Sequence, residues 1–171
     1  YERVIGPREL VFPADHGPHP DYRNEWWYLT GNLSTESGRR FGYQLTFFRI
    51  ALAPAMPARD SAWASRQVYM AHLTVTDVAA GDFQEAERFA RAGLGLAGAH
   101  APDGERTFRV WLGPWSLEGR RPGTAFPARL EARAGEAALD LVLRASKPRV
   151  LHGERGYSRK GPGEGDASYY Y

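Results

Sequence analysis

The feature that most constrains the fold is a strict alternation of side-chain character in two neighbouring segments, residues 25–34 and 40–51. A period of two residues indicates β-strands, and the intervening Ser37-Gly38 is a typical turn dipeptide. A turn centred on Ser37 pairs the segments so that one face carries only apolar residues and a glycine. A slip of one residue would mix the two faces, so the pattern predicts one register. The pairs predicted on this face are Trp27 with Phe47, Leu29 with Leu45, Gly31 with Tyr43 and Leu33 with Phe41.

The same alternation continues along the chain. Residues 84–92 also fit a short helix, and residues 51–65, which contain Pro54 and Pro57, are predicted to form a long loop or lid. Short strands at hairpin spacing, with no long amphipathic helix, predict an all-β meander of antiparallel strands that forms a barrel or a sandwich. A length of 171 residues favours a single domain. The remaining strands are predicted at 66–78, 83–89, 107–113, 115–118, 125–134 and 136–145.

Composition excludes several classes of chemistry. The chain has no cysteine, which removes disulfides, thiolate nucleophiles and cysteine-ligated zinc. The net charge is only +2, and the arginines are scattered among acidic residues, so no surface for nucleic acid is expected. No apolar run is long enough for a membrane-spanning helix, and no signal peptide is visible. Dinucleotide fingerprints and the G-x-S-x-G elbow of serine hydrolases are also missing from the sequence.

The second face of the predicted hairpin and of the next strand has an unusual composition, and we call it the mixed face. A solvent-facing surface would carry Lys, Glu and Arg, whereas this one combines aromatic with hydrogen-bonding side chains. Apolar walls with a few oriented polar groups are typical of a ligand pocket, and the alternative is an interface with another domain. The mixed face consists of Trp26, Tyr28, Thr30, Asn32, Gln44, Thr46, Phe48, Met70, His72, Thr74 and Thr76.

The stretch before the hairpin contains two histidines three residues apart, His16 and His19. A loop could bring them together with Asp15 or Asp21, but Pro18 and Pro20 forbid a shared helix, and zinc needs three or four ligands with a supporting shell. We therefore expect no metal here. The alternative is that Asp15 and His16 make turn hydrogen bonds at the entry to the barrel.

Glu25 has two interpretations that remain open at the level of sequence. In the predicted register it lies opposite Arg49, which favours a cross-strand ion pair. Alternatively, Trp26 and Trp27 partly desolvate its carboxyl group and allow it to donate a proton. The first interpretation lowers the pKa of Glu25, and the second raises it.

His72 is the polar residue in the middle of the third predicted strand, on the mixed face beside Tyr28, Thr46 and Gln44. A histidine inside a barrel is more often a satisfied core or lumen residue than a catalytic one. This group is nevertheless the best candidate for a polar cluster within a lumen.

Four segments resemble one known family. FPADHGPHPDYRNEWWYLTGNL, FGYQLTFFR, VYMAHLTVTD and YSRKGPGEGDASYYY are similar to the first half of the carotenoid 1,2-hydratase and AttH-like lipocalin proteins. The resemblance extends from about Phe12 to Tyr171. It implies a calycin-type, lipocalin-like antiparallel β-barrel, with residues 1–171 as the N-terminal half of a protein that has two barrels in tandem.

The resemblance also implies a long apolar ligand, a lipid or an isoprenoid, and hydration of an isolated double bond by acid catalysis. Such a reaction needs an acid, a held water and aromatic faces for a developing cation, and no cofactor. The further partners implied are the second barrel and a membrane surface, and the location implied is periplasmic or secreted. The alternatives are a non-catalytic carrier and a scaffold half. The acid candidates are Asp15, His16, Glu25 and His72, the aromatic ones Trp26, Tyr28 and Phe48, and the water holders Gln44 and Thr46.

Overall fold

The computed structural model describes residues 1–55 and 61–171 and contains eleven strands after one short 3-10 helix, Ala14–His16. Alternation of core-facing and outward side chains runs through the long strands, as a period of two requires. The strands are β1 Asn24–Ser34, β2 Arg40–Ala51, β3 Gln67–Asp77, β4 Asp82–Arg91, β5 Ala97–His100, β6 Arg109–Leu112, β7 Trp115–Gly119, β8 Ala128–Ala134, β9 Ala137–Leu143, β10 Tyr157–Arg159 and β11 Ala167–Tyr169.

The strands form three antiparallel sheets, and both large sheets are meanders. The first has the order β1-β2-β3-β4, the second β5-β6-β7-β8-β9, and β10 pairs with β11. The all-β antiparallel meander is therefore confirmed, but within the described residues the strands do not close into the expected barrel. β4 pairs only with β3 and β5 only with β6, and between them the chain leaves the first sheet through a turn in which Leu94 and Gly95 have positive φ angles of 53° and 70°.

The predicted register of the first hairpin is confirmed over its whole length, from Asn24 opposite Ile50 to Ser34 opposite Arg40. Its apolar face meets the second sheet, and the two sheets share one core. Leu45 and Phe47 from β2 and Leu130 from β8 are completely buried there. The mixed face is therefore the outer side of the first sheet, where Gln44 and Tyr28 are exposed.

Several boundaries differ from those that the sequence predicts. Residues 84–92 lie mostly in strand β4 rather than in a helix, because their side chains alternate against β3. The sequence gives no indication of β5, β10 or β11, since these short strands lack β-branched residues and do not alternate. Leu52–Ala55 and Ser61–Ser65 are irregular, as expected for a loop, whereas Pro57 lies outside the described residues.

Both terminal segments run beside β1, which is an edge strand of the first sheet. Residues from both segments line one cavity together with residues of β1. The Tyr169 hydroxyl donates to the carbonyl of Gly6 at 2.9 Å, so the two segments are joined directly. No helix within residues 1–55 and 61–171 has the length and apolar character needed to cross a bilayer.

Candidate functional site

Five charged side chains form one line beside the start of β1, and we call this line the charge chain: Arg8, Asp15, His19, Glu25 and Arg49. Arg8 pairs with the Asp15 carboxylate, and Asp15 Oδ1 lies 2.7 Å from His19 Nε2. His19 Nδ1 lies 2.6 Å from Glu25 Oε1. Arg49 Nε donates to Glu25 Oε2 at 2.9 Å. Positive and negative groups therefore alternate along the line and connect the N-terminal segment to the first sheet.

Asp15 is positioned by the short helix that follows Pro13. The Asp15 amide donates to the carbonyl of Val11 at 2.9 Å, and the Val11 amide donates back to the Asp15 carboxylate. Only 8% of Asp15 is exposed, and burial alone would raise the pKa of its carboxyl group. Hydrogen bonds from Arg8, the Val11 amide and His19 outweigh burial and lower this pKa, so Asp15 is a carboxylate at neutral pH.

His19 is the centre of the charge chain, and its surroundings favour the positively charged form of its ring. Each ring nitrogen faces a carboxylate oxygen, and the imidazolium form satisfies both contacts because both of its nitrogens carry hydrogen. The hydrogen bond to Glu25 is the largest cause of a raised pKa of His19, and burial opposes it. Neither ring N–H is free to point at a ligand unless one of these two hydrogen bonds breaks.

Glu25 and Arg49 form the cross-strand ion pair that the register predicts. Arg49 is completely buried and also donates from Nη2 to the carbonyl oxygens of His19 and Tyr22, at 2.8 and 2.9 Å. The His19 amide donates to Glu25 Oε2 at 3.0 Å. This geometry is that of the ion-pair interpretation, and proton donation by Glu25 to a ligand stays a prediction.

His16 points away from the charge chain, into an aromatic group. Burial is the main cause of a pKa lowered to about 4, and Arg149 adds to it, so His16 is neutral at pH 7. The Tyr171 hydroxyl donates to the Asp15 carbonyl at 2.8 Å. The phenol has no second hydrogen, so His16 Nδ1 must be the donor in its 3.0 Å contact with Tyr171 Oη. Trp27 Nε1 donates to the His16 carbonyl at 2.9 Å.

A cavity of about 720 Å³ lies between β1, the two terminal segments and the second sheet. Its size suits a ligand of drug size or a lipid chain. Its deepest walls are core residues, since Phe108, Leu117 and Ala125 are only 2%, 4% and 3% exposed. Aromatic side chains form much of the remaining wall: Trp26, Trp27, Tyr28, Phe126, Tyr169, Tyr170 and Tyr171.

The structure brings some of the predicted site residues together and separates the others. Asp15, His16, Glu25, Trp26 and Tyr28 line the cavity. The rest of the mixed face lies on the outer side of the first sheet, where His72 Nε2 is 3.1 Å from Glu87 Oε2. A role in ligand binding or catalysis stays a prediction for these separated residues: Thr30, Asn32, Gln44, Thr46, Phe48, Met70 and His72.

The sequence does not predict that the tyrosines at 169–171 form part of the cavity wall. It also does not predict that His19 lies at the centre of the charge chain. From the sequence, His19 is considered only as a metal ligand together with His16 and Asp15 or Asp21, because no pattern indicates that Asp15 and Glu25 both reach its ring. Pro18 and Pro20 exclude a helix at His19, which indicates from the sequence that this segment is a loop. The three tyrosines at 169–171 were visible as a motif, but only the fold places them against the N-terminal segment.

The described parts of the chain contain no group of three or more His, Cys, Asp or Glu side chains arranged to hold a metal ion. Asp15, His19 and Glu25 instead point their polar atoms at one another.

Two packed antiparallel sheets and an aromatic cavity beside an edge strand define an all-β protein with a ligand-sized cleft. The AttH-like family model matches residues 3–171, so the chain belongs to the AttH-like family. It is also similar to a crystal structure, at 2.00 Å resolution, of a protein from Nitrosomonas europaea provisionally named AttH, with 35% identity and a TM-score of 0.80. The match covers 99% of this chain and 48% of the other, so this chain spans about half of that protein. Comparison with curated proteins gave no match.

Proposed function

We propose that the chain binds a long apolar molecule, of the lipid or isoprenoid class, in the cavity beside β1. The observation that carries this proposal is the 720 Å³ cavity, which combines buried core residues at its floor with aromatic rings along its sides. Burial of apolar surface contributes roughly 25 cal/mol per Å², so even a partly enclosed chain of this kind binds appreciably. Trp26 and Tyr28 contribute aromatic surface to the cavity wall, as do the tyrosines at 169–171.

Binding ranks above chemical transformation because each candidate acid in the cavity is already engaged. Asp15 is an ionised acceptor, His16 is neutral at pH 7, and Glu25 accepts from Arg49. Hydration of a double bond is nevertheless a second candidate, in which one of the two carboxylate contacts of His19 breaks and frees a ring N–H beside the aromatic wall. In that reaction His19 gives a proton to one alkene carbon, and a carboxylate accepts a proton from the water that adds to the other.

Ligand binding is tested with N-phenyl-1-naphthylamine, a neutral apolar dye that fluoresces when it leaves water. We expect saturable binding to the native chain, weakened about tenfold or more in Trp26→Ala because an aromatic wall is lost. Phe83→Ala is the matched control, since Phe83 is an exposed aromatic residue on β4 of the same sheet and does not line the cavity. Equal losses in the two variants, or none in either, would contradict the proposal.

Hydration is tested by incubating the protein with an isoprenoid alkene and searching for a product heavier by the mass of one water. The second candidate predicts such a product with the native chain and none with His19→Gln. A dye-binding protein that forms no product would leave only the binding function.

Two further proposals come from the resemblance and from the half-length match with the N. europaea structure. The first is that the cavity adjoins a second domain of similar fold in the same protein. The protein acts in the periplasm or outside the cell, in contact with a membrane surface from which it takes its ligand.

A further inference from the structure

Three cations stand at the mouth of the cavity, and we call Arg3, Arg23 and Lys160 the rim cations. All three are exposed and line the cavity. Within residues 1–55 and 61–171 none of them forms an ion pair with a carboxylate. Arg3 donates only to the carbonyl oxygen of Glu164, and the Lys160 ammonium lies over the Tyr170 ring.

The acidic residues of the same cavity do not balance this charge. Asp15 and Glu25 are occupied by the positive members of the charge chain. The Asp166 carboxylate accepts from the Gly163 amide at 3.0 Å within its own loop. Asp166 keeps its negative charge, so it and Glu2 offset two of the three rim cations, and one net positive charge remains among these lining residues in the part of the chain that the structure describes. The mouth therefore carries an excess of positive charge.

The most buried lining residues of the cavity are apolar. Phe108 and Leu117 form part of the shared core, and Leu29 reaches the same space from β1. The cavity thus changes from apolar at its floor to cationic at its mouth, which is the polarity of an amphiphile with an anionic head.

We propose that the cavity takes an amphiphile whose anionic headgroup, a carboxylate or a phosphate, lies among Arg3, Arg23 and Lys160 while its hydrocarbon chain points toward Phe108 and Leu117. Like charges gathered at one mouth repel each other, and an anion relieves that repulsion. Arginine supplies paired N–H donors that match the oxygens of carboxylate and phosphate. The inference rests on the proposed apolar binding and adds the charge of the ligand.

The first test compares cis-parinaric acid, a fluorescent fatty acid, with its methyl ester, which has the same chain and no charge. We expect the acid to bind about tenfold more tightly at low ionic strength, and the difference to shrink as salt is added. Equal affinities for the two would overturn the headgroup inference and leave apolar binding intact. Failure of both probes to bind would instead contradict the proposed function itself.

The second test replaces the rim cations. In the triple variant Arg3→Gln, Arg23→Gln, Lys160→Gln the preference for the acid should disappear, while the affinity for the ester stays unchanged. The matched control Arg91→Gln, Arg133→Gln, Arg144→Gln removes three exposed arginines that do not line the cavity, and should keep the preference. A preference that survives in the rim variant, or is lost equally in the control, would overturn the inference.

The third test separates an amphiphile from a free anion. Dodecyl phosphate should displace parinaric acid at concentrations at least about tenfold below those of dodecanol, and inorganic phosphate alone should not displace it. Displacement by inorganic phosphate as effective as that by dodecyl phosphate would show a simple anion site and overturn the proposal.

Discussion

Among individual residues, His19 has the most unusual surroundings, because a carboxylate faces each of its ring nitrogens. It connects the N-terminal segment to β1, and through Glu25 to the buried Arg49. A neutral imidazole could donate only one of these two hydrogen bonds, so the cluster is complete only when His19 is charged.

We expect His19→Gln to lower the free energy of unfolding by about 1–2 kcal/mol near pH 5.5, and by less at alkaline pH. The pKa of His19 is raised on folding from its ordinary 6.5. Its stabilising contribution is therefore complete below pH 6.5 and is lost as the pH rises through the folded-state pKa. Urea unfolding of both proteins at several pH values measures the difference.

His100→Gln is the control for this experiment, since His100 lies on β5 in the second sheet, outside the charge chain. The same substitution there should leave the contacts of the charge chain intact. A difference between native protein and His19→Gln that grows with pH would contradict the assigned charge state.

Arg49 is the second residue for which a large effect is expected. Arg49→Met removes the donor to Glu25 and to two carbonyl groups, so it leaves a carboxylate and backbone oxygens without their partner. We expect a loss of about 3–5 kcal/mol in urea unfolding, and a smaller loss for Arg49→Lys. Arg129→Met, which breaks the exposed ion pair with Asp140, should change stability little. Similar losses of unfolding free energy at Arg49 and Arg129 would contradict the expectation that burial makes the Arg49 ion pair more important for stability.

Among the elements, the first hairpin shows how far its alternation predicts structure. The observed pairing confirms its predicted register. Alternation specifies this register because a slip of one residue would expose Leu45 and Phe47 and bury Gln44. Alternation defines which residues share a face, but it does not define which face meets the second sheet. That choice depends on where Val110 and Leu130 lie, which no local pattern in β1 or β2 contains.

Two glycines in this hairpin give a matched pair of variants. A Cβ at Gly31 would lie 2.9 Å from the ring of Tyr43, which is itself buried, so Gly31→Val should cost about 1–3 kcal/mol through overpacking. A Cβ at Gly42 would meet only Thr76 at 3.9 Å, so Gly42→Val should be neutral or slightly stabilising. Thermal unfolding distinguishes the two, and equal tolerance of both would contradict the packing at Gly31.

Prediction of the remaining elements fails for an identifiable reason. The sequence of β5 is Ala97-Gly98-Ala99-His100, with no β-branched residue, and it is a strand only because it pairs with β6. Gly98 is required there because Trp111 packs over it, with ring atoms 2.6 Å from a Cβ at that position. Contacts between distant segments also create the cavity, so its terminal walls could not be predicted from local alternation.

At the scale of the whole molecule, the terminal segments complete the cavity. Tyr169 and Tyr171 donate to the carbonyl oxygens of Gly6 and Asp15, which attaches the last strand to the N-terminal segment. The two large sheets share a core that does not depend on these bonds.

We expect the double variant Tyr169→Phe, Tyr171→Phe to increase amide hydrogen exchange in residues 1–23, with little change in β2, β3 and β8. The aromatic rings remain, so only the two hydroxyl donors are lost, at about 0.5–1.5 kcal/mol each. Exchange followed by mass spectrometry measures the effect by segment. Tyr28→Phe is the control, and a uniform rise across both sheets would indicate global destabilisation instead.

The position of the cavity along an edge strand gives its two sides different mechanical properties. On one side, β1 is fixed to β2 by a ladder whose strands lie about 4.8 Å apart, a spacing that does not stretch. The terminal segments are instead held to each other and to the first sheet by separate side-chain contacts, the phenol-to-carbonyl bonds and the charge chain, which can break one at a time. We therefore expect the cavity to widen on the side of the terminal segments, so that straight and methyl-branched chains can enter it without breaking the pairing of β1 with β2.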